Sequence, residues 1–473
     1  MAQAKPAAAH GAADEVQGEL SSVREKIHPR AVGGLFAWLR VAAVLLTQLL
    51  YYGLPWLQWD GRQSVLFDLA TRKFYVFGLV LWPQDFVYLS ALLIIAALGL
   101  FLFTAVAGRL WCGYACPQTV YTEVFLWIER RIEGNRQQQI KLDQAPWGAR
   151  KIAVKGAKHG AWIAFSFWTG LTFVGYFTPI RVLTEELAAL SFGPWETFWI
   201  LFYGFATYGN AGWLREQVCK YMCPYARFQS VMFDPDTLII TYDPKRGEPR
   251  GPRGKRVDRA QAGLGDCVDC SICVQACPTG IDIRNGLQYM CIGCAACIDG
   301  CNQVMDKLGY PRGLIRYSTE NAMEGKYPDK AILLRMLRPR VLLYGIVLLA
   351  IAAALAAALY VRVPLQVDVM RDRWSLARET SQGLIENVYR LQVINMDDRP
   401  HRYAISVLGP VAFHLLAEGP PLQVAALSSG NLSVRLEADP QGLKERSTPV
   451  TFRLQAVDDP ALERTVASSF LSR

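Results

Sequence analysis

Histidine is scarce in this 473-residue chain, which has only His10, His28, His159, His401 and His414. None lies within the long apolar runs described below, and a membrane haem usually needs facing histidine ligands, so we expect no haem. The chain also lacks a Gly-x-Gly-x-x-Gly loop, a Walker loop and a Ser–His–Asp pattern in a suitable context. The sequence therefore gives no support for nicotinamide or hydrolytic chemistry.

Charged residues are also few, at 19% of the chain against 52% apolar residues. An average soluble domain has roughly 25% charged residues, so a wholly soluble or disordered chain is excluded. The length implies several domains. Lys and Arg together number 50 against 41 for Asp and Glu, but they cluster beside apolar runs. This pattern is typical of the inner loops of a membrane protein and predicts no nucleic-acid partner.

Five apolar runs are long enough to cross a bilayer, which takes roughly 20 helical residues. We predict a five-span α-helical bundle, with the first four spans in a membrane domain at residues 35–240. The third and fourth runs are only just long enough, so buried core helices are the alternative for these two. The five runs are Leu35–Leu57, Pro83–Gly108, Ala161–Pro179, Trp195–Trp213 and Val341–Val361.

The loops between these runs differ in their content of basic residues. Residues 109–160 hold nine Lys or Arg and residues 214–340 hold 19, whereas residues 58–82 hold three and residues 180–194 hold one. Lys and Arg concentrate in loops on the inner side of a membrane. We therefore expect the two basic loops and the N-terminus in the cytoplasm, and the C-terminal segment on the other side.

The remaining segments are divided by their composition. Residues 1–34 are predicted to be disordered, and residues 321–340 connect to the fifth span at residues 341–361. Residues 241–265 are predicted to form a flexible basic linker, suited to anionic lipid headgroups or to electrostatic docking of an acidic partner. Residues 368–473 predict an external all-β immunoglobulin-like sandwich that lacks the usual Cys and Trp core. Its predicted strands are Val388–Met396, His401–Leu408, Leu422–Leu427, Leu432–Glu437, Val450–Val457 and Arg464–Phe470.

All 12 cysteines lie between Cys112 and Cys301, and eight of them form two tandem runs with ferredoxin spacing. In Cys-x2-Cys-x2-Cys-x3-Cys, three thiolates surround one cubane and the fourth reaches the neighbouring cluster. We predict two 4Fe–4S clusters in an α+β ferredoxin-like domain at residues 266–320, with zinc or a purely structural cluster pair as alternatives. Asn302 stands where a second Pro is common. The predicted ligands are Cys267, Cys270, Cys273 and Cys301 for one cluster, and Cys277, Cys291, Cys294 and Cys297 for the other.

The other four cysteines form two Cys-x3-Cys-Pro motifs, Cys112 with Cys116 and Cys219 with Cys223. Each motif follows an even-numbered span at its inner end, which indicates a diverged duplication. A spacing of four places both thiols on one helix face, and the Pro predicts a break. Soft thiolates suit Cu(I), zinc or iron–sulfur clusters. The motifs predict either a site that receives copper together with electrons or a third cluster, with buried structural thiols as the alternative.

Four segments in combination resemble one known family. The segments are WCGYACPQTVYTE (Trp111–Glu123), CPYARFQ (Cys223–Gln229), the tandem ferredoxin run and RGLIRYSTEN (Arg312–Asn321). They closely resemble the CcoG/FixG/RdxA family, and the resemblance covers nearly the whole chain. The thiol motifs and the ferredoxin run also occur in NapH-type quinol dehydrogenases, but those proteins have four spans and no outer β-domain.

The resemblance implies a multi-pass protein of the bacterial inner membrane, with cytoplasmic clusters and a periplasmic β-sandwich. It implies a cupric reductase that converts Cu(II) to Cu(I) for a copper transporter or chaperone during cytochrome c oxidase assembly. Copper would be the substrate, and a cytoplasmic donor would supply electrons. Flavin and a homodimer are compatible with this function, while a quinol dehydrogenase and a non-enzymatic assembly scaffold compete with it. The candidate catalytic and copper-binding thiols are Cys112, Cys116, Cys219 and Cys223.

Overall fold

A computed structural model describes residues 26–252, 263–372, 377–417, 422–443 and 445–472. The chain divides into two units, Met1–Ala352 and Ala353–Arg473. The predicted disorder of residues 1–25 and the predicted flexibility of residues 253–262 in the basic linker concern segments outside the described residues.

Within the described residues, three helices are long and apolar enough to cross a membrane: Leu35–Trp56, Pro83–Ala107 and Pro339–Tyr360. They coincide with the predicted first, second and fifth spans, and their large apolar side chains are mostly exposed, as expected of side chains that face lipid. The α-helices of the described residues are Leu35–Gly53, Phe86–Ala107, Leu110–Tyr114, Pro117–Ile132, Arg136–Gln144, Ala149–Val174, Ile180–Ala189, Pro194–Thr207, Pro224–Met232, Pro244–Gly247, Ile272–Ala276, Ala296–Leu308, Glu320–Glu324, Ile332–Arg335 and Pro339–Tyr360.

The predicted third and fourth spans lie in helices with different limits. The helix Ala149–Val174 begins well before the predicted start and includes basic residues in its first turns. The helix Pro194–Thr207 continues as a π-helical segment, Tyr208–Leu214. The two helices pack closely, because Gly170 has no side chain to collide with the carbonyl of Ile200. Whether this pair spans the membrane stays a prediction.

Residues 58–81, between the first two spans, form two small antiparallel sheets to which the sequence analysis assigned no structure. One sheet pairs two strands, and the other orders three strands as β3-β4-β5. The second sheet is attached to the end of the third predicted span, since the Phe67 amide donates to the Tyr176 carbonyl at 2.7 Å. The strands are β1 (Gln58–Trp59), β2 (Arg62–Gln63), β3 (Val65–Asp68), β4 (Lys73–Val76) and β5 (Leu79–Leu81).

The ferredoxin-like region begins earlier than predicted. Strand β6 (Ile239–Tyr242) pairs antiparallel with β7 (Ile315–Ser318), and their side chains pack with Met305 in a buried core. The next residues are also ordered, because the Gly251 amide donates to the Cys267 carbonyl at 3.3 Å. Residues 241–252 of the predicted linker therefore belong to this region.

The residues just before the first span also differ from their prediction. The Arg30 amide donates to the Gln275 carbonyl at 2.7 Å, and Nε2 of Gln303 donates to the Gly33 carbonyl at 2.6 Å. These bonds attach residues 26–34 to the ferredoxin-like region, so the prediction of disorder is wrong for them. The hydrogen bonds offset part of the entropy lost when the chain is ordered.

The second unit is a sandwich of two antiparallel sheets. One sheet orders its strands β12-β14-β10-β8 with β9 beside β10, and the other orders them β13-β11-β15-β16. Tyr389 and Phe452 meet between the sheets with ring centroids 4.9 Å apart, where antibody domains have Cys and Trp. The strands are β8 (Leu365–Arg371), β9 (Arg378–Glu379), β10 (Ile385–Asn395), β11 (His401–Leu408), β12 (Phe413–Ala417), β13 (Leu422–Val424), β14 (Ser429–Ala438), β15 (Ser447–Ala456) and β16 (Glu463–Leu471).

Candidate metal centres

The two ferredoxin runs fold into loops with the same backbone pattern. Asp269 (φ 51°) and Ser271 (φ 53°) flank Cys270 in the left-handed region, and Gly293 (φ 69°) and Ala295 (φ 58°) flank Cys294 in the same way. Left-handed residues turn the chain sharply. Each loop therefore curls so that three thiols line a common cavity, and the third of them lies in the first turn of the helix that follows.

The fourth cysteine of each run follows a different local path. Cys277 ends its short helix in an extended conformation, and Pro278 prevents the helix from continuing. Cys301 instead lies inside the helix Ala296–Leu308. Asn302, which replaces the second Pro, accepts a hydrogen bond from the Gly313 amide at 3.0 Å. The substitution thus changes the turn but leaves Cys301 facing the other loop.

Two small cavities mark where the thiols gather. The lining of each cavity includes one of the two predicted ligand sets, and Cys273 lines both. Assignment of individual thiols to iron stays a prediction, but the exchange of the fourth cysteine between runs agrees with this geometry. One cavity is lined by Cys267, Cys270, Cys273 and Cys301, and the other by Cys277, Cys291, Cys294 and Cys297 together with Cys273.

Burial controls the ionisation of these thiols. Burial, together with the nearby Cys273, Cys267 and Cys270, raises the pKa of Cys301 to about 12. Burial likewise raises the pKa of Cys297 well above its ordinary value, with a smaller contribution from Cys294. Thiolates are unfavourable here without a positive charge, and iron supplies one. The donor set and the cavities therefore fit two iron–sulfur clusters.

The two Cys-x3-Cys-Pro motifs are broken at equivalent points. The helix Leu110–Tyr114 ends before Cys116, and the π-helical segment Val218–Met222 ends before Cys223. Each second cysteine is extended and precedes a new helix that begins with Pro. The break predicted at each Pro is therefore confirmed. The two thiols of a motif do not share one helix face, because the second thiol lies outside the helix of the first.

The two motifs nevertheless bring their thiols together. Burial raises the pKa of Cys219 to about 12, with contributions from the negative charges of Cys116, Cys112 and Cys223 and an opposing contribution from Arg109. The four thiols are thus close enough to influence one another. Cys112 is buried and its Sγ donates to Oε1 of Gln229 at 3.3 Å. The duplicated motifs form a four-thiol group, which we call the thiol site.

The thiol site contacts the cluster cavity that Cys294 lines. A Cβ added at Gly113 would lie 2.9 Å from both Cα and N of Cys294, so only glycine permits this approach without displacement. Cys112, Cys294 and Ile292 share one buried apolar cluster, with Cys219 packed against it. The backbone between the two thiols of the first motif therefore lies directly on a cluster loop.

Arg109 is a buried residue that the sequence analysis missed. Its guanidinium donates through Nη1 to the Tyr289 carbonyl, and its charge opposes the burial-driven rise in the pKa of Cys112, Cys219 and Cys291. Arg109 therefore provides a positive charge beside both the thiol site and the cluster loop. Its place just before the first thiol motif was the signal in the sequence.

The first span is attached to the ferredoxin-like region by two further residues that the sequence analysis missed. Asp299, buried in that region, accepts from the Ala37 amide at 2.7 Å and caps the start of the helix. Arg40 donates through Nη1 to the Cys294 carbonyl at 2.6 Å. The first span is therefore bonded directly to a cluster loop.

The geometry does not favour a ready-made site for one ion. Among the described residues, no three His, Cys, Asp or Glu side chains are grouped to hold a single metal ion. Cubane clusters need more widely separated thiols than a single ion does, so this result does not count against the two cluster cavities.

Three family models match this chain. A 4Fe-4S dicluster domain matches residues 214–320, a 4Fe-4S binding domain matches residues 89–135, and an IG-like fold at the C-terminus of FixG matches residues 355–473. The first model covers the tandem ferredoxin run and the second thiol motif, and the second model covers the first thiol motif. Iron–sulfur clusters are therefore the cofactors of this protein.

Relatives such as RdxA and FixG share most of the chain, whereas NapH shares less than half of it. Protein RdxA of Cereibacter sphaeroides is 39% identical over 453 residues, covering 93% of this chain and 95% of RdxA. Nitrogen fixation protein FixG of Rhizobium meliloti is 39% identical over 86% of this chain and 84% of FixG. Ferredoxin-type protein NapH of Haemophilus influenzae is 26% identical over 46% of this chain and 68% of NapH. The long matches, the cluster cavities and the apolar helices lead to one conclusion: the chain belongs to the FixG/RdxA family of membrane iron–sulfur proteins.

Proposed function

We propose that this protein is a cupric reductase that converts Cu(II) to Cu(I) at the thiol site. The observation that carries the proposal is the meeting of Cys112, Cys116, Cys219 and Cys223 beside the loop of Cys294. Copper bound by any of these thiols would lie next to a cluster. The clusters, when bound, supply single electrons, which is what reduction of Cu(II) consumes.

The thiol site also suits the product better than the substrate. Thiolates prefer the soft Cu(I) ion, so capture of the product favours its formation. Cu(I) accepts a pair of thiolates, which agrees with the lack of a three-ligand group among the described residues. Arg109 limits the negative charge that collects when thiols ionise. We infer that these residues bind copper and lower the free energy of the reduced ion.

A third 4Fe–4S cluster is the second candidate for the thiol site. It is favoured by the match of a 4Fe-4S binding domain to residues 89–135, which contain Cys112 and Cys116. In that case the protein would remain an electron carrier, and copper or another acceptor would react elsewhere. A NapH-like quinol dehydrogenase has weaker support, since the similarity to NapH covers 46% of this chain.

The cellular setting forms part of the proposal. Placement of the basic loops puts the clusters on the cytoplasmic side of a bacterial inner membrane and the β-sandwich on the periplasmic side, with five spans in all. The Cu(I) product would pass to a copper transporter or chaperone for assembly of cytochrome c oxidase. The thiol site supports copper chemistry, while a non-enzymatic scaffold would make no use of it.

The decisive experiment is anaerobic. Purified protein with dithionite-reduced clusters is mixed with Cu(II), and reoxidation is timed by absorbance while Cu(I) is trapped by a colorimetric chelator. We expect one Cu(I) for each electron lost from the clusters. Reduced clusters that survive in the presence of Cu(II), with iron content intact, would exclude the proposed activity and leave the scaffold function.

A further inference from the structure

A cavity of about 500 Å³ lies between the first membrane helix, the helix Pro117–Ile132 and the loop of Cys294. Its volume is within the range of small-molecule sites. Val44 and Leu45 from the first membrane helix, with Trp127 opposite, supply apolar walls. Leu45 and Trp127 are more than half exposed within the protein, so the apolar side of the cavity is open where the helix would face lipid.

The inner end of this cavity is next to redox chemistry. Cys294 lines the cavity and also lines one of the two cluster cavities. Cys273 in turn lines both cluster cavities. A molecule in the lipid-side cavity would therefore be separated from a cluster by a single cysteine residue. This position is suited to a redox-active ligand that is soluble in the membrane.

The polar groups of the cavity are suited to a ligand with acidic hydroxyls. Glu123 lies 4.0 Å from Nε of Arg40 and 4.0 Å from Nη2 of Arg130, beyond hydrogen-bonding distance. Its carboxylate can therefore accept a hydrogen bond from a ligand while the two arginines balance its charge. Arg40 is held in place by its bond to the Cys294 carbonyl.

We propose that this cavity binds a membrane quinol and that Glu123 accepts a proton as the quinol is oxidised. The inference rests on the proposed function, because the quinol would supply the electrons that copper reduction consumes. One quinol loses two protons and two electrons to become a quinone. Clusters held by the two predicted ligand sets would take up these two electrons, one each, which is the number needed to reduce two Cu(II) to two Cu(I). One proton passes first to Glu123 and both end in water.

A phospholipid fits these observations less well. A phosphate headgroup would be attracted by Arg40 and Arg130 but repelled by Glu123, whose carboxylate lines the same cavity. The position of Cys294 beside a redox centre also gives no advantage to a phospholipid, which exchanges no electrons. A quinol uses all three features: the apolar walls hold its tail, the carboxylate accepts from its hydroxyl and the cysteine wall adjoins an electron acceptor.

The test uses the full-length protein in detergent with decyl-ubiquinol as the probe. Val44→Trp fills the cavity, while Leu49→Trp places the same side chain at a position of the same helix that is 71% exposed. We expect quinol-driven cluster reduction to be slower by about tenfold or more in Val44→Trp, because the indole would occupy the space that the ligand needs. Leu49→Trp should match the parent protein. Val41→Trp replaces Val44→Trp if the latter loses its clusters.

Two more measurements separate the causes. Glu123→Gln keeps the shape of the side chain, so the half-saturating quinol concentration should change little while the maximal rate of cluster reduction falls. A photoreactive azido-quinone should label residues 41–45 or 123–130 in the parent and not in Val44→Trp. Labelling does not depend on electron transfer, so it reports binding alone.

The outcomes distinguish this inference from the proposed function. If dithionite-reduced protein reduces Cu(II) but quinol never reduces the clusters, the quinol site is wrong and the cupric reductase stands. If quinol reduces the clusters but Cu(II) does not reoxidise them, the quinol site stands and the reductase is wrong. Normal rates and normal labelling in Val44→Trp would overturn the site, and so would loss of a bound phospholipid without any change in quinol oxidation.

Discussion

Sγ of Cys112 donates to Oε1 of Gln229 at 3.3 Å, which joins the two thiol motifs. Gln229 lies in the helix that begins directly after Cys223, and its Nε2 donates to Oγ1 of Thr104 at 3.1 Å. The first thiol of one motif is therefore positioned by the helix of the other. The thiol site therefore requires both copies of the duplicated motif, since neither copy forms it alone.

Replacement of thiols at this site tests what it binds. Cys112→Ser and Cys219→Ser each substitute a hard oxygen for a soft sulfur of similar size, so Cu(I) affinity and Cu(II) reduction should fall. The eight ferredoxin-run cysteines are unchanged, and iron should remain at about eight per chain. A third cluster would instead give more iron in the parent and less in both variants. Copper affinity and turnover equal to those of the parent protein in both variants would refute the assignment of copper to this site.

Replacement of Cys273 tests the cluster ligands. This thiol lines both cluster cavities, so Cys273→Ser should remove a ligand from one cluster and loosen the other. We expect iron to fall by half or more from about eight per chain. Iron analysis and visible absorbance are the measurements, with Cys219→Ser as the matched thiol control. Unchanged iron and absorbance would show that Cys273 is not a ligand.

The contact between Gly113 and Cys294 tests the link between the two sites. Gly113→Ala introduces a methyl group 2.9 Å from the Cys294 backbone, and relief of this overlap should move the two loops apart. We expect Cu(II)-driven reoxidation of the clusters to slow by about fivefold or more, while iron content is retained. Gly156→Ala is the control, because no atom lies within 4 Å of the added Cβ. Equal rates in the two variants would contradict a direct link.

His401 makes the stability of the β-sandwich depend on pH. Burial lowers the pKa of His401, but bonds to Asp397 and Asp458, at 2.9 and 2.7 Å, outweigh it and raise the pKa above 6.5. The folded state therefore binds the proton more tightly. This stabilisation is complete below the unfolded value of 6.5 and is lost as pH rises through the higher folded value.

We expect the thermal unfolding midpoint of the sandwich, measured in the full chain, to decrease as the pH is raised from 6 to 8. The decrease should be on the order of a few degrees. His401→Gln should remove most of this dependence, and His414→Gln is the control because its ring has no such carboxylate pair among the described contacts. The measurement is limited proteolysis of the sandwich across temperature at each pH. A pH profile unchanged by His401→Gln would refute the assignment.

Removal of the sandwich tests the division of labour between the units. The second unit contains no cysteine, so truncation after Arg362 should leave iron content and copper reduction by purified protein unchanged. Assembly of cytochrome c oxidase in cells should fall, because exposed strand edges are suited to binding partner proteins. Loss of copper reduction with clusters intact would show that the sandwich takes part in catalysis.

The sequence was informative where chemistry is local. Cysteine spacing predicted both cluster ligand sets that line the cavities, because three ligands of a cluster come from one loop. Strand β11 has its predicted limits, His401–Leu408. By contrast, β12 (Phe413–Ala417) was missed, since its short run does not alternate clearly between polar and apolar residues.

Contacts between distant segments could not be read from the sequence. Asp299 caps a helix whose Phe36 is 263 residues away along the chain, and Gly113 contacts Cys294, which is 181 residues away along the chain. No local pattern marks either pair. The cavity beside Cys294 was missed for the same reason, because its walls come from three separate parts of the chain.

The cap that Asp299 provides has a consequence for biogenesis. Asp299 lies two residues after Cys297 and two before Cys301, so the backbone that carries the cap is shaped by cysteines of both predicted ligand sets. A nascent chain starved of iron would present the first membrane helix without its carboxylate cap and without the Arg40 bond to Cys294. Iron supply would thereby determine how much protein survives membrane quality control, which makes cellular abundance itself a readout of cofactor insertion.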